Sequence, residues 1–220
     1  MYNILGFGDF GTTDVLGGGL NTAVSSAYYL SVLGSPVGLT APRVTGWHHL
    51  QFYITPNGQS VIVRLDGVTV YAANHNMSSV APYVTLYNVT GEANNCFDDL
   101  VVYVGVPRDN TPLFEDNADY GVNPAANGWL NQFSASPATS MTYYPTTFAK
   151  SGARVCAIGQ SFGSPESVYR PIQNASFPVS MEVDFYDPGY LVNSTVGFDS
   201  YNYTSPTIYT DVGYLGGCSA

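Results

Sequence analysis

One stretch, residues 46–103, constrains the fold of this chain most strongly, because it consists of β-rich runs separated by tight-turn signals. The runs Gly46–Ile54 and Val61–Leu65 flank Asn57-Gly58. An Asn-Gly pair between two β-rich runs is a strong signal for a hairpin. Asp66-Gly67 marks a second tight turn directly after the second run. We therefore expect consecutive antiparallel strands here.

The first of these runs also indicates which side chains meet the core, because successive residues of a strand point to opposite faces. One face would carry Trp47, His49, Gln51 and Tyr53, and the other would carry His48, Leu50, Phe52 and Ile54. The second set is mostly apolar. We therefore predict that the second set packs against the core.

The composition excludes two kinds of partner. The 220 residues carry a formal net charge of −10, and only 10% of them are charged. Neutralising phosphates requires basic residues, so nucleic acid is excluded as a partner. No apolar run is long enough to span a bilayer, so a membrane span is excluded as well. A surface with few charged residues and many tyrosines is common in proteins outside cells.

Short β-rich runs separated by turn signals continue over the rest of the chain, and no amphipathic helix longer than one or two turns is convincing. Many short strands with regular turns are typical of an all-β sandwich or jelly roll. Residues 107–112 have a proline at each end and polar residues between them. Proline interrupts both helix and strand, so this segment is predicted to be a linker.

Five tripeptides fit the acceptor motif for N-glycosylation. They begin at Asn76, Asn88, Asn174, Asn193 and Asn202. Chance alone can produce such motifs in a chain rich in Asn, Ser and Thr. Together with the low content of charged residues, however, five motifs favour a glycosylated extracellular protein, either secreted or at the cell surface.

Cys96, Cys156 and Cys218 are the candidates for disulfide bonds. An odd number of cysteines in a secreted protein predicts one pair and one leftover thiol, which could bridge two chains. Three buried free thiols are the alternative. The spacing of the three residues fits no zinc site.

Three motifs in the first half of the chain resemble those of one known family. They are Gly46-Trp47-His48-His49-Leu50, Leu65-Asp66-Gly67-Val68 and Phe97-Asp98-Asp99-Leu100-Val101-Val102-Tyr103. A GWH strand, a V-D-G hairpin and a closing D-D-V strand are typical of the concanavalin A-like, laminin G-like jelly-roll family. The chain resembles this family well over residues 46–103. The resemblance implies an all-β, antiparallel jelly-roll β-sandwich with little helix.

The second half of the chain resembles the front of such a domain, so the two halves stand in permuted order. Phe114-Glu115-Asp116 and Gly128-Trp129 look like the opening region of jelly-roll and carbohydrate-binding modules. We expect one sandwich over residues 1–220, in which a closing half (1–106) and an opening half (113–220) are joined by the linker 107–112 and share a core. Two partial repeats of a tandem array are the alternative.

One β segment also occurs twice with a weak similarity between the two copies, because Thr195–Ser200 resembles Ile4–Asp9. A spare strand can complete the sheet of a neighbouring molecule by strand addition. Repeated head to tail, such a contact grows into a filament. The leading functional expectation is therefore a non-enzymatic structural or adhesive glycoprotein subunit that associates with copies of itself, head to tail into a filament by β-strand complementation.

Glu182, Asp184 and Asp187 are the candidate catalytic residues. They resemble the E-x-D-x-x-E strand of jelly-roll glycoside hydrolases, which implies a nucleophile and a general acid among them. Glu182 and Asp184 would share one face of a strand. Asp187 stands where the family has Glu, and the turn residues Pro188-Gly189 follow it at once. A solvent-facing strand is the alternative, and a glycoside hydrolase is the third functional expectation.

Asp98, Asp99, Glu115 and Asp116 are the candidate metal ligands. In many jelly-roll modules an early acidic residue and a closing-strand Asp bind a structural Ca²⁺, and the resemblance carries this role to Asp98 or Asp99 and to Glu115 or Asp116. Ca²⁺ requires several oxygen ligands, so backbone carbonyls would complete the shell. The alternative is two acidic pairs at turns or edges in water. No other cofactor is expected.

Tyrosine is abundant, with 18 residues in the chain. The paired or clustered members are Tyr28, Tyr29, Tyr143, Tyr144, Tyr186, Tyr190, Tyr201, Tyr203, Tyr209 and Tyr214. These rings could stack on sugars, contact a protein partner or pack across strands. A carbohydrate-binding module with glycans as partners is therefore the second functional expectation.

Overall fold

The structure is a computed structural model that describes part of the chain. The described residues are 17–19, 27–32, 35–42, 44–56, 59–74, 83–88, 95–105, 112–119, 123–131, 141–158, 166–172, 178–187, 194–199 and 212–214. Within them, strands dominate, and no helix is long and apolar enough to cross a membrane.

The described strands are short and follow one another with few helical residues between them. In chain order they are β1 (Gly17–Gly19), β2 (Ala27–Val32), β3 (Ser35–Pro42), β4 (Gly46–Ile54), β5 (Ser60–Leu65), β6 (Val68–Asn74), β7 (Tyr83–Asn88), β8 (Asn95–Val104), β9 (Pro112–Asp116), β10 (Leu130–Asn131), β11 (Met141–Pro145), β12 (Arg154–Ile158), β13 (Glu166–Pro171), β14 (Val179–Asp187), β15 (Ser194–Asp199) and β16 (Val212–Tyr214). A short 3₁₀ helix, Pro124–Asn127, precedes β10.

These strands form three antiparallel sheets. The largest sheet has eight strands in the order β11-β12-β8-β14-β4-β5-β6, with β9 pairing β8 as the eighth. A second sheet has the order β10-β13-β7-β15-β16, and a third has the order β1-β2-β3. The predicted all-β fold with little helix is therefore confirmed. The jelly-roll connection of the strands remains a prediction.

The core lies between the eight-stranded and the five-stranded sheet. Phe52 of β4 and Phe185 of β14 belong to the same buried cluster as Val84 of β7 and Val168 of β13. Because these side chains come from both sheets, the two sheets pack face to face as a sandwich. Trp129, from the segment between the 3₁₀ helix and β10, is also fully buried in this core.

The predicted faces of β4 are confirmed. Its buried residues are His48, Leu50, Phe52 and Ile54, and its half-buried residues are Trp47, His49, Gln51 and Tyr53. The apolar set meets the core because this arrangement removes the larger apolar area from water. The other set lies on the opposite face of the eight-stranded sheet, which we call the outer face.

The predicted turn at Asp66-Gly67 is also confirmed. Asp66 and Gly67 have φ angles of 50° and 80°, the left-handed conformation that a tight two-residue hairpin requires. The Asp66 carboxylate accepts a hydrogen bond from the His49 backbone N–H at 2.8 Å and contacts Nδ1 of His48 at 2.7 Å. The first predicted turn, at 57–58, lies outside the described residues, but β4 and β5 pair antiparallel on either side of it.

β14 brings the second half of the chain into the sheet formed by the first half. Along its length it pairs antiparallel with β4 on one side and with β8 on the other. The eight-stranded sheet therefore contains strands from both sequence halves. Residues 107–111 and the segment Ile4–Asp9 lie outside the described residues, so the linker and the repeated segment stay predictions.

β8 changes its pairing partner in the middle. Its first part pairs with β12 and its later part with β9. The change occurs at Asp98-Asp99, where Asp99 has a φ of 47° and the pairing with β14 shifts register. This β-bulge re-aims the two adjacent carboxylates, as bulges commonly do.

Candidate functional site

The outer face of the eight-stranded sheet carries a polar patch in the middle of the sheet. β14 alternates strictly, with Val183 and Phe185 in the core and Glu182 and Asp184 on the opposite face. The two carboxylates thus share a face, as the sequence predicted. Across the pairing with β4, Glu182 lies opposite Gln51 and Asp184 lies opposite His49.

The first row of the patch joins three strands. The Gln51 side-chain amide donates a hydrogen bond to Oε1 of Glu182 at 2.6 Å. Arg64 of β5 lies opposite Gln51 on the other side. Facing residues on antiparallel strands have Cβ atoms about 5 Å apart, so these side chains form one continuous strip.

The second row is formed by Asp98, Asp184 and His49. Nδ1 of His49 contacts Oδ1 of Asp184 at 2.9 Å. Nε2 of the same ring lies 3.9 Å from Oε2 of Glu182, so the imidazole links the two rows. Asp98 of β8 is the register partner of Asp184 on the other side. We refer to Arg64, Gln51, His49, Glu182 and Asp184 together as the polar patch.

An aromatic cluster adjoins the polar patch on β4 and β14. It consists of Trp47, Tyr186 and Phe148, whose ring centroids are 5.6 Å apart for Trp47–Tyr186 and 5.1 Å apart for Phe148–Tyr186. The Trp47 indole N–H donates to the Phe148 backbone oxygen at 2.7 Å. These contacts fix the three rings, which are all half-buried.

The polar patch becomes more exposed towards β5. Glu182 and Asp184 are only 3% and 6% exposed, whereas the His49 side chain is 26% exposed and Arg64 is exposed. The alternative of a solvent-facing Glu/Asp strand is therefore wrong, because both carboxylates are buried. Arg64 is exposed on this face, and the carboxylates of Glu182 and Asp184 hold Gln51 and His49 in place.

Asp98 is the most strongly perturbed carboxylate beside the patch. Burial raises its pKa to about 6, and the charges of Asp99 and Asp184 add to the increase. Backbone N–H groups of Ser151 and Asp99 donate to Asp98 at 3.0 Å each and partly oppose this rise. The folded protein therefore holds a proton on Asp98 at a pH where the unfolded chain does not.

The protonation of Asp98 predicts a specific pH dependence of stability. An ordinary Asp has a pKa of about 3.9, so the stabilisation from protonated Asp98 is fully present below about pH 4. It is lost as the pH rises through about 6. We expect the free energy of unfolding of the wild type, relative to Asp98→Asn, to fall between these values and then to stay level.

Denaturant unfolding at several pH values measures this difference, because other titrating groups are common to both proteins. The exposed Thr142→Ala is the control and should give a difference that does not vary over the same range, because neither side chain titrates there. A wild-type minus Asp98→Asn difference that is constant from pH 4 to 7 would contradict the assignment.

The four candidate calcium ligands do not converge on one site. Asp116 faces the core, where its carboxylate accepts hydrogen bonds from the Trp129 indole and from the Tyr143 hydroxyl. Glu115 precedes it on β9 and is exposed. Oδ1 of Asp99 is bound by Asn117 and Ser151. Among the described residues, no group of three or more His, Cys, Asp or Glu could hold a metal ion. The geometry therefore does not fit the calcium site that the resemblance implies.

Asp116 is instead the centre of a buried hydrogen-bond network. Burial raises its pKa, while the donors Trp129 and Tyr143 oppose the rise. Asn127 donates to the Tyr143 hydroxyl at 2.6 Å, which ties the 3₁₀ helix to β11. The Asp116 carboxylate and these neutral donors therefore link β9, the 3₁₀ helix and β11. Its role is structural.

The cysteines differ in state. Cys96 is disulfide-bonded, and Cys156 is a free, buried thiol. Cys218 lies outside the described residues. Burial raises the pKa of the Cys156 thiol well above its ordinary value, so the reactive thiolate is disfavoured.

The remaining candidates lie largely where the structure describes no side chain. Asn88 ends β7, between β13 and β15; Asn76, Asn174, Asn193 and Asn202 lie outside the described residues. Asp187 ends β14 opposite Gly46. Of the tyrosines, Tyr143 is buried, Tyr144 is exposed and Tyr186 belongs to the aromatic cluster. Only the backbone is described for Tyr28, Tyr29 and Tyr214, and Tyr190, Tyr201, Tyr203 and Tyr209 lie outside the described residues.

Sequence reasoning did not include Gln51, His49, Arg64 and Trp47 among the site residues. The alternation along β4 already separates Trp47, His49 and Gln51 from the core set, and that was the available signal. Their proximity to Glu182 and Asp184 depends on the β4–β14 register, which no short motif reveals.

A scan of the chain against protein-family models gives no match, and a search of curated protein sequences gives none either.

Proposed function

We propose that this protein binds neutral glycans through the polar patch and the aromatic cluster on the outer face of its eight-stranded sheet. The observation that carries the proposal is the pair of hydrogen-bonded contacts Gln51–Glu182 and His49–Asp184 beside the half-buried Trp47 and Tyr186. The protein would act outside the cell as a non-enzymatic carbohydrate-binding glycoprotein. The resemblance to concanavalin A-like domains agrees with this role.

The arrangement suits sugar recognition because its polar groups are fixed before any ligand arrives. A binding site gains specificity from a few polar groups whose orientation is held by a second layer of hydrogen bonds. Here the buried carboxylate of Glu182 belongs to that second layer, and the Gln51 amide is the group that it orients. The half-buried rings of Trp47 and Tyr186 offer apolar faces that a sugar ring can cover.

The charge favours a neutral glycan over an acidic one. The chain carries a net charge of −10. Asp98, Asp184 and Glu182 lie at or beside the patch, whereas Arg64 is the arginine of the patch. An acidic polysaccharide would meet both this local charge and the repulsion of the whole molecule.

A glycan array with neutral and acidic oligosaccharides, followed by titration calorimetry, tests the proposal. We expect neutral glycans to bind and Gln51→Ala to weaken that binding on the order of tenfold, since one well-oriented hydrogen bond is lost. Ala126→Ser, at an exposed residue of the 3₁₀ helix outside the eight-stranded sheet, is the control and should bind as the wild type does. Absence of any bound neutral glycan would contradict the proposal.

The same preparations distinguish binding from hydrolysis by Glu182, Asp184 and Asp187. We expect bound β-glucan oligosaccharides to remain intact over long incubation. Turnover that disappears in Glu182→Gln would instead identify a glycoside hydrolase, because Gln keeps the shape of Glu and cannot serve as nucleophile or acid.

A second candidate function, the self-associating structural subunit, is supported by the edges of the same sheet. Val68 on β6 and Tyr144 on β11 are 64% and 44% exposed, and these two strands end the described strand order. Terminal strands with exposed apolar residues can pair with another chain. Joining β6 of one copy to β11 of the next would extend the sheet head to tail into a filament.

Electron microscopy and light scattering at high protein concentration test this second candidate. We expect assemblies in the wild type and their loss in the double variant Val68→Lys, Tyr144→Lys, because charges at sheet edges oppose pairing. A monodisperse monomer at high concentration would contradict it.

A further inference from the structure

A cavity opens between the two large sheets, and the residues that line it do not belong to the polar patch. It measures about 420 Å³ and is lined by Leu113, Phe114, Gly128, Arg170, Pro171 and Ile172. This volume lies within the range of ligand pockets, roughly 300–1,000 Å³. Among the described residues, Leu113, Phe114, Pro171 and Ile172 give the lining apolar side chains, and Arg170 gives it a charged one.

Arg170 points into the sandwich from β13. It stands two residues after the fully buried Val168, so both side chains share the inward face of that strand. Its guanidinium carbon lies 3.8 Å from the centroid of the Phe114 ring on β9. This stacking holds the guanidinium plane against the opposite sheet, so its geometry is fixed before any ligand binds.

The donors of this guanidinium are not used within the described part of the chain. No oxygen there accepts a hydrogen bond from Arg170, and none of the ion pairs involves it. Burial lowers the pKa of Arg170, while the nearby charge of Asp116 opposes this change. An arginine nevertheless keeps its charge in proteins. The result is a half-buried cation with its N–H groups available.

Asp116 does not accept hydrogen bonds from the Arg170 guanidinium. Its carboxylate oxygens are taken by the Trp129 indole and the Tyr143 hydroxyl. It therefore compensates part of the charge of Arg170 at a distance without covering the N–H groups. A guanidinium fork of this kind matches the two oxygens of a carboxylate.

We propose that this cavity binds a small amphipathic carboxylate, with its acid group on Arg170 and its apolar body against Leu113, Phe114 and Ile172. One guanidinium suits one singly charged carboxylate, and the apolar walls suit an aliphatic or aromatic body. The ligand class differs from the neutral glycans proposed for the outer face, and the two sites are independent.

Titration calorimetry of the wild type with octanoate and with 1-octanol tests this site without any substitution. The two probes share the same apolar chain, and only octanoate carries a carboxylate. We expect octanoate to bind saturably and 1-octanol to bind more weakly, on the order of tenfold. Equal affinities for the two probes, or no saturable octanoate binding, would overturn the proposal.

Two variants then locate the site, after their melting temperatures confirm that they fold. Arg170→Gln should weaken octanoate on the order of tenfold and leave 1-octanol nearly unchanged. Leu113→Trp should fill the cavity and weaken both probes, which provides a second reading if Arg170→Gln does not fold. Octanoate affinity that is unaffected by Leu113→Trp, or by a folded Arg170→Gln, would overturn the assignment to this cavity.

Discussion

Replacing Trp129 with alanine is expected to lower the free energy of unfolding by about 3–5 kcal/mol, the usual cost of removing a large aromatic side chain from a core. Trp129 is 0% exposed. Its ring packs edge-to-face on Phe114 with centroids 5.9 Å apart, and its N–H donates to Asp116. The substitution therefore opens a cavity and removes one donor from a buried carboxylate at the same time.

Trp129→Phe separates these two effects. It keeps most of the ring and loses the N–H, so we expect a smaller cost, about 1–3 kcal/mol for the unmet hydrogen bond and the partial loss of volume. Denaturant unfolding of both variants measures the difference. A loss below 1 kcal/mol in Trp129→Ala would show that this side chain does not hold the two sheets together.

Replacing Glu182 with alanine is expected to weaken glycan binding on the order of tenfold or more, although the Glu182 carboxylate is itself buried. Oε1 of Glu182 holds the Gln51 amide at 2.6 Å, and its other oxygen lies 3.9 Å from Nε2 of His49. Removing the carboxylate frees the Gln51 side chain to rotate, whereas Asp184 still holds His49. The polar patch then loses the fixed geometry on which specificity depends.

Glu182→Gln is the matched variant for this effect. Its side-chain oxygen can still accept the hydrogen bond from Gln51, so we expect affinity within a few-fold of the wild type. Titration calorimetry with the same glycan and a melting curve for each variant separate lost binding from lost folding. Wild-type affinity in a folded Glu182→Ala would show that Glu182 does not organise the binding face.

Part of the fold could be predicted from local sequence because local physics decides it. The alternation along β4 assigned its faces correctly, since a strand has only two faces and the apolar set belongs to the core. The Asp66-Gly67 turn was predictable for a similar reason, because few residue pairs accept the left-handed conformation that both adopt.

The composition of the polar patch was harder to predict, because it depends on strand register between distant segments. Gln51 meets Glu182 across 131 residues of sequence, and His49 meets Asp184 across 135. The sequence placed Glu182 and Asp184 on one face correctly. It did not indicate that both carboxylates would be buried.

The calcium interpretation required side chains from separate stretches of the chain to converge, which a motif does not reveal. Glu115 and Asp116 are neighbours on β9, so their side chains point to opposite faces. Strand alternation therefore allows at most one of the two to reach a given site. The bulge at Asp98-Asp99 could not be foreseen, because it arises where β8 changes from β12 to β9.

The central claim is that the outer face of the eight-stranded sheet is the glycan-binding surface, and backbone amide NMR tests it most directly. The tightest neutral glycan from the array would be titrated into isotope-labelled protein while amide shifts are followed. We predict that the largest shifts fall on Trp47, His49, Gln51, Arg64 and Tyr186. Shifts confined to other surfaces, with these five amides unchanged at saturation, would contradict the account.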